Sequence, residues 1–364
     1  MSGKVLNYFA GGNTAKGFYS LFDSVLDGLG RLFILKGGPG TGKSVLMKTI
    51  GEHIREKGYD IEYLHCASDT SSIDGVIIPV FQIGIVDGTA PHIIEPSAPG
   101  VIDDYVNLDV ALDREKLIIH KEDILKLGDV VSAKFKLAYE TFAEALQAHD
   151  ELENIYISNM DFDEANKLTD ELIALFFQTE SIEKQAKVVH RFLGAATPIG
   201  AVDFIPNLTE GIAKRYLIKG RSGSGKSTIL KKIAAAGEAK GFDIEVYHCG
   251  FDPTSVDMII VREKGIAIFD STLPHEYFPE RDTDEIVDIY KRCITPGTDE
   301  MFAAEIERTR NAYKKKMKEA TTYLAEAKAV RDQLEAYYIA AMDFAKVDEI
   351  RESILAEIEK LMGE

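Results

Sequence analysis

Gly37-Gly38-Pro39-Gly40-Thr41-Gly42-Lys43-Ser44 fits the pattern G-x-x-x-x-G-K-[ST] at every position. It follows an apolar run, residues 31–36, that predicts a buried strand, and it precedes residues 45–50, whose spacing predicts a helix. This setting suits phosphate binding, because the glycines let successive N–H groups point inward and the helix adds the positive end of its dipole. We call this segment the first phosphate loop.

The same pattern returns 183 residues later as Gly220-Arg221-Ser222-Gly223-Ser224-Gly225-Lys226-Ser227. The surrounding sequence repeats at the same spacing, since residues 58–66 read GYDIEYLHC and residues 241–249 read GFDIEVYHC. Self-similarity at a fixed long period indicates an internal duplication. We therefore predict two copies of one α/β domain with a mostly parallel sheet between helical layers, and we call the second segment the second phosphate loop.

The residue types in these loops predict which groups contact a bound nucleotide. Lys43 and Lys226 are expected to reach the β- and γ-phosphates, and Ser44 and Ser227 to ligate Mg²⁺. The predicted nucleotide-binding positions are Gly38, Gly40, Thr41, Gly42, Lys43, Ser44 and Val45 in the first loop, and Ser222, Gly223, Ser224, Gly225, Lys226, Ser227 and Thr228 in the second. The cofactors expected from this pattern are a nucleoside triphosphate and Mg²⁺.

Four apolar residues ending in aspartate follow each loop at the same distance, and they end at Asp87 and Asp270. An aspartate at the carboxyl end of a strand beside a phosphate loop holds Mg²⁺ through its water shell, so both are predicted metal-site residues. Many ATPases carry glutamate directly after this aspartate to orient the attacking water. Here Gly88 and Ser271 stand in that place. The water-orienting group must therefore lie elsewhere, or the acceptor is not water.

Three pairs of repeated residues are candidates for that group. Asp69 and Asp252 are the predicted catalytic carboxylates, with Lys43 and Lys226 as the catalytic lysines. The alternative is that both aspartates cap turns or helices. The other repeated candidates are Asp74 and Asp257, and His92 and His275. The segments 8–17 and 191–200 precede the first strand of each copy, and either contact the base or form an edge strand and turn.

Apolar residues recur every seven positions in two stretches, 117–152 and 306–334, each with a second apolar row. This spacing predicts long helices with a coiled-coil seam, and Met160-Asp161-Phe162-Asp163 is expected at the tip of a helical hairpin. The predicted domains are residues 1–110 and 181–297 for nucleotide binding, with hairpins at 111–180 and 298–364. We expect the hairpins to brace the domains, to self-associate or to bind a protein partner.

The composition excludes several functional classes. The net charge of −18 over 364 residues argues against nucleic-acid binding, which needs clustered Lys and Arg. No apolar run approaches the roughly 18 residues of a membrane helix, and the first residues lack the apolar core of a signal peptide. Three cysteines form no C-x-x-C pair. These features predict a cytoplasmic protein with reduced cysteines.

With both loops and both strand-end aspartates, the chain resembles the P-loop NTPase superfamily, and its tandem layout resembles duplicated nucleotide-binding proteins such as the RecA-like circadian-clock ATPase. It looks closest to a sparsely characterised bacterial family of tandem P-loop ATP-binding proteins. The resemblance implies Lys43 and Lys226 at the phosphates, with Ser44, Ser227, Asp87 and Asp270 around Mg²⁺. The sequence lacks the guanine-specific motif Asn-Lys-x-Asp, so ATP is the expected nucleotide.

Three functions follow from this pattern. An ATPase would couple hydrolysis to movement of the helical hairpins, and two complete phosphate loops favour it. A small-molecule or nucleotide kinase is favoured by the missing glutamate. A scaffold would hold ATP only as a structural ligand. Because phosphoryl transfer depends on positioning and charge stabilisation, the binding residues alone do not separate the three.

Overall fold

The computed structural model describes residues 2–363, which form an α/β protein of two similar halves. The strands of the first half are β1 (Val5–Tyr8), β2 (Gly11–Thr14), β3 (Gly17–Ser20), β4 (Arg31–Lys36), β5 (Ile61–His65), β6 (Ile73–Ile78), β7 (Ile83–Asp87) and β8 (Asp103–Asn107). Those of the second are β9 (Val188–Phe192), β10 (Gly194–Thr197), β11 (Gly200–Asp203), β12 (Lys214–Lys219), β13 (Ile244–His248), β14 (Val256–Val261), β15 (Ile266–Asp270) and β16 (Glu285–Asp288).

The helices occur at equivalent places in the two halves. In the first half they are α1 (Phe22–Leu26), α2 (Lys43–Glu56), α3 (Arg114–Ile118), α4 (Lys121–Ile157) and α5 (Phe162–Phe177). In the second they are α6 (Ile205–Leu208), α7 (Lys226–Ala239), α8 (Ile289–Cys293), α9 (Thr298–Met301), α10 (Ala303–Ala341) and α11 (Phe344–Leu361). The predicted α/β class and the predicted internal duplication are confirmed.

Each half is built on a six-stranded sheet with the order β1-β5-β6-β7-β4-β8 or its equivalent β9-β13-β14-β15-β12-β16. The pairs β5–β6 and β6–β7 are antiparallel, and the other three pairs of the first sheet are parallel. The sheet is therefore mixed. The physical reason is the short link between β5 and β6, which cannot hold the crossover helix that parallel strands require.

The two sheets pack on each other through one shared apolar core. Ile34 and Val86 of the first sheet belong to the same buried cluster as Leu217 and Phe269 of the second. The short helices α1 and α6 cross over, since α1 lies against β9 and α6 against β1. Each sheet therefore has one face toward the other half and one face covered by helices, α2 and α11 on the first sheet and α7 and α5 on the second.

A pseudo-twofold axis relates the two halves. Phe9 and Phe192 are equivalent residues, and each donates its N–H to the carbonyl oxygen of the other, at 3.2 and 2.9 Å. Isolated bridges join Leu112 to Met342 and, equivalently, Met160 to Ile294. Contacts of residue i with j and of j with i are typical of a twofold dimer interface, and here one chain forms both partners.

The helical hairpins are exchanged between the halves. Helix α5 follows the first half but packs on α7 of the second, where Leu168 and Leu172 join the core of Leu230 and Ile233. Helix α11 packs on α2 of the first half in the same way. Spacing alone did not predict this exchange.

The long helices α4 and α10 run antiparallel against each other within the chain. His120, before α4, contacts Tyr337 near the end of α10, whereas Tyr156 near the end of α4 shares a cluster with Ile306 near the start of α10. The seam between them is therefore buried inside one molecule. Among residues 2–363, no helix is long and apolar enough to span a membrane.

Candidate functional site

The first phosphate loop connects β4 to α2, as the motif requires. Lys43, the first residue of α2, is 8 % exposed, and its ammonium donates hydrogen bonds to the carbonyl oxygens of Gly37 at 2.7 Å and Gly38 at 2.9 Å. Gly42 before it has a φ of 90°, a conformation that favours glycine. Burial lowers the pKa of Lys43 against the attraction of Asp87, whose Oδ2 is 3.6 Å from its Nζ.

The second phosphate loop has the same geometry between β12 and α7. Lys226 donates to the carbonyl oxygen of Arg221 at 2.9 Å, and its Nζ is 3.4 Å from Oδ2 of Asp270. Gly225 has a φ of 82°, matching Gly42. The two loops therefore bring the sequence-predicted lysine and the strand-end aspartate together in both halves.

Both serines of the motif hold the next antiparallel strand. The hydroxyl of Ser44 accepts a hydrogen bond from the N–H of Ile73 at 3.0 Å, and Ser227 accepts from Val256 at 2.9 Å. These bonds tie the start of each loop helix to β6 or β14. The hydroxyl groups lie at the same edge of the sheet as the aspartates, and hydroxyl and carboxylate oxygens are ligands suited to Mg²⁺.

A second carboxylate faces each strand-end aspartate across an antiparallel pair. In the register of β14 and β15, Met258 lies opposite Phe269, which places Asp257 opposite Asp270. Asp74 lies opposite Asp87 in the same way. Burial, reinforced by the negative charge of Asp270, raises the pKa of Asp257 to about 6. The sequence marked Asp257 only as one of three repeated pairs, because the strand register that singles it out is not readable from spacing.

The predicted catalytic carboxylates, Asp69 and Asp252, lie in turns after β5 and β13. Asp69 accepts hydrogen bonds from the N–H and hydroxyl of Ser71, and Asp252 accepts the same pair from Thr254. The bonds from Ser71 outweigh the effect of burial and lower the pKa of Asp69. Each carboxylate therefore caps its own turn, and Asp252 also lines the second cavity described below.

The two repeated histidines have different partners. Nε2 of His92 is 3.4 Å from Oδ1 of Asp74, whereas Nδ1 of His275 is 2.7 Å from Oδ2 of Asp203. Burial opposes protonation of both rings, but the neighbouring carboxylates outweigh it and raise the pKa of each. His275 is thus held on the β11 side of the site rather than on Asp257.

Each loop is covered by a helix from the opposite half. A Cβ on Gly40 would lie 3.0 Å from the carbonyl oxygen of Glu335 on α10, and a Cβ on Gly223 would lie 2.4 Å from that of Glu153 on α4. Both glycines also have positive φ. These two residues therefore allow the close approach of loop and helix, and neither candidate site is built from one half alone.

Helix α10 also brings cations to the first loop. Nζ of Lys328 is 3.5 Å from Oδ2 of Asp69, and Nε of Arg331 is 3.1 Å from Oε1 of Glu335. Positions 328, 331 and 335 share one helix face, so Arg331 lies between the contacts with Asp69 and Gly40. No sequence pattern pointed to Arg331, because its position depends on the exchange of the hairpins.

A cavity of about 460 Å³ surrounds the second loop, and we call it the second cavity because it belongs to the second half. Its size is within the range of small-molecule sites. Its lining includes the loop, the carboxylates Asp257 and Asp270, and residues from α4, α5, β10, β11 and α10. Ala195 and Ala196 of β10, within the segment 191–200, form part of the wall.

A group of three potential metal ligands lies on the wall formed by α4. His149, Asp150 and Glu153 place ligand atoms within 4.8 Å of one another. They lie on consecutive turns of one helix, whereas Ser227 and Asp270 lie at the phosphate loop.

The chain was compared with family models, with curated proteins and with solved structures. A family model described as Nephrocystin 3, N-terminal, is similar to residues 20–76, which include β4, the first phosphate loop, α2 and β5. The searches of curated proteins and of solved structures returned no match. The similarity therefore covers the first phosphate loop and its flanking elements.

Proposed function

We propose that the protein binds Mg-ATP at its phosphate loops and hydrolyses it. The observation that carries the proposal is the paired geometry at both loops, where the loop lysine and the strand-end aspartate face one another at the end of adjacent parallel strands. A triphosphate needs a cation at that point and a metal ion held by an aspartate, and the cavity above the second loop supplies the room.

In this proposal the chain binds and orients the reacting groups. The N–H groups of the second loop and Lys226 hold the phosphates. Ser227 and Asp270 would hold Mg²⁺, and that ion would neutralise charge on the phosphate oxygens. Asp257 lies one strand from Asp270 and borders the cavity, so it is placed to orient water. The water oxygen bonds to the γ-phosphorus, the bridging bond to ADP breaks, and the water proton passes to Asp257.

The exchanged hairpins give a means of coupling nucleotide to movement. The long helix α10 covers the first loop through Glu335 and lines the second cavity through Tyr313, Met317 and Thr321. A displacement of α10 on nucleotide binding at one loop therefore reaches the other. In this proposal, closure around Mg-ATP shifts the α4–α10 pair.

Release of ADP and phosphate from Mg-ATP tests the proposal without any added acceptor. Wild type is compared with Lys43→Ala, Lys226→Ala and the double variant. We expect turnover in the wild type and loss of at least about 100-fold in the double variant, since that variant has no loop lysine left to stabilise the transferring phosphate. Binding of Mg-ATP without product release would contradict hydrolysis and leave the phosphotransferase or the scaffold.

A phosphotransferase is the second candidate, and the shape of the second cavity favours it. Going outward from the phosphate loop, the strands follow the order β12, β15, β14, β13 and β9. The cavity extends along that order past Asp257 to Phe251 and Ala195. The space lies beyond the expected γ-phosphate, where an acceptor hydroxyl would have to sit. ADP formation that rises with an added nucleoside or sugar, with a matching phosphorylated product, would favour this candidate over hydrolysis.

A further inference from the structure

The two phosphate loops share their motif, but the space beside them differs. Because the halves repeat at a spacing of 183 residues, and of 182 in the hairpins, every residue that lines the second cavity has an equivalent beside the first loop. Several lining positions carry a larger side chain in the first half, and four of them bear on the space beside the loop. The pairs, second half first, are Ala196 and Asn13, Ala201 and Phe18, Thr321 and Tyr139, and His149 and Arg331.

The larger residues are joined across the equivalent space. The hydroxyl of Tyr139 on α4 donates a hydrogen bond to Oδ1 of Asn13 at 3.0 Å, and Asn13 is fully buried. In the second half the same two places hold Thr321 and Ala196, which face the cavity from opposite walls. The Tyr139–Asn13 bond therefore crosses a gap that is open in the second half.

Phe18 and Arg331 close the remaining sides. The ring of Phe18 lies 6.0 Å from that of His92, whereas its equivalent Ala201 leaves the wall beside His275 open. Arg331 takes the place of His149 over the loop, paired with Glu335. A guanidinium on a long side chain occupies more of the space between loop and helix than an imidazole does.

Other lining positions carry the larger side chain in the second half, and two of these residues form a wall of the cavity rather than filling it. Phe251 and Tyr313 of the second half correspond to Ser68 and Val131. Their rings pack on each other with centroids 5.6 Å apart, and both line the cavity. The large residues of the second half thus bound its cavity, whereas those of the first half occupy the equivalent space.

We propose that the second half holds the exchangeable Mg-nucleotide site of the chain, whereas the side chains of Phe18, Tyr139 and Arg331 close the site of the first half. This inference rests on the proposed function and assigns it to one of the two loops. The ligand class is a Mg-bound nucleoside di- or triphosphate, with additional room in the second half for an acceptor.

Calorimetric titration of the full chain with Mg-ADP tests the assignment, because ADP is not consumed. We expect one tight site per chain, abolished by Lys226→Ala and retained in Lys43→Ala. The chain supplies matched exchanges. Ala201→Phe with Thr321→Tyr places the residues of the first half in the second cavity and should weaken binding at least about tenfold.

The reverse substitutions place the smaller residues of the second half in the first site. They keep the proposal testable if the variant Ala201→Phe with Thr321→Tyr fails to fold. Phe18→Ala, Tyr139→Thr and Arg331→His, combined in the Lys226→Ala background, should restore one Mg-ADP site that a further Lys43→Ala change removes. Circular dichroism of each variant reports whether the fold is retained.

Two equal sites in the wild type would overturn the assignment while leaving the proposed function intact. A single Mg-ADP site that Lys43→Ala abolishes and Arg331→His weakens would also overturn it, since Arg331 would then be a phosphate ligand rather than an obstruction. Absence of Mg-ADP binding in the wild type and in every variant would refute the proposed function itself, and the assignment with it.

Discussion

Replacement of Arg191 by methionine should destabilise the interface between the two halves. Arg191 on β9 is 8 % exposed, and its guanidinium lies 3.0 Å from Glu62 of the first half and 3.6 Å from Glu245 of the second. The guanidinium carbon also lies 4.3 Å from the ring centroid of Tyr8. Its equivalent in the first half is Tyr8 itself, so one arginine serves two equivalent carboxylates near the pseudo-twofold axis.

The magnitude follows from what the change leaves behind. Glu245 keeps an ion pair with Arg262, but among the described residues Glu62 keeps only the hydroxyl of Tyr8, at 2.5 Å. Removing one partner of a buried ion pair costs about 3–5 kcal/mol, because the remaining charge stays desolvated. We therefore expect Arg191→Met to lower the free energy of unfolding by about that amount. The matched control Arg262→Met, at a more exposed arginine, should cost about 1 kcal/mol or less.

Urea titration followed by far-ultraviolet circular dichroism measures this change, since the chain has no tryptophan. Adding Glu62→Gln to Arg191→Met should recover part of the loss by removing the uncompensated charge. A loss in Arg191→Met no greater than that in Arg262→Met would refute the reasoning. So would a double variant less stable than Arg191→Met.

The ion pair of Arg191 with Glu245 also predicts how the stability of Arg191→Met depends on pH. Burial opposes ionisation of Glu245, but Arg191 and Arg262 outweigh it and lower the pKa of this carboxyl. In the wild type its contribution to stability is present above the pKa of the unfolded chain, about 4.3, and is lost as the pH falls through the lower folded value. In Arg191→Met the burial cost is less well offset, so the deficit relative to wild type should shrink between about pH 7 and pH 4.5. A stability deficit that stays constant over this pH interval would show that Arg191 does not offset the burial of the Glu245 carboxylate.

Further predictions concern the exchanged helix and the second site. Ile358→Ala on α11, at a fully buried side chain, should cost about 2–5 kcal/mol in urea unfolding, whereas Leu361→Ala, where 52 % of the residue is exposed, should cost about 0.5 kcal/mol or less. Asp257→Asn should lower ATP turnover at least about 100-fold with Mg-ADP affinity retained, and a larger loss in Asp252→Asn would identify the turn aspartate instead. Gly223→Val should abolish nucleotide binding in a calorimetric titration, because its side chain would meet the Glu153 carbonyl; unchanged affinity would contradict that contact.

The strand–loop–helix conformation of the two phosphate loops could be predicted from the sequence, because the motif depends only on neighbouring residues. Gly42 and Gly225 need positive φ, and the lysine after each begins a helix, so the pattern itself dictates the conformation. The duplication was equally readable from the constant spacing of Lys43 and Lys226. These features depend on short stretches of chain, and no tertiary contact decides them.

The residues that line each candidate site could not be predicted, because they depend on which helices and strands pack against each other. Apolar spacing in α5 and α11 predicts that one face of each helix is buried, but it does not identify the surface that covers it. The structure places Leu172 on the opposite half, and with it Glu153 and His149 over the second loop. The facing of Asp257 and Asp270 likewise depends on an antiparallel register that the expectation of a mostly parallel sheet did not include.

The exchange of hairpins gives a physical reason for keeping both copies of the domain in one chain. Helix α2 of the first half buries Leu46, Ile50 and Ile54 under α11, which is the last helix of the second half. Without that helix, this apolar face and the first phosphate loop would lie open to water, at a cost of about 25 cal/mol for each Å² exposed. The same holds for α7 under α5. Each half therefore completes the other, and the covalent link keeps the two different sites, one open and one filled by its own side chains, in a single molecule.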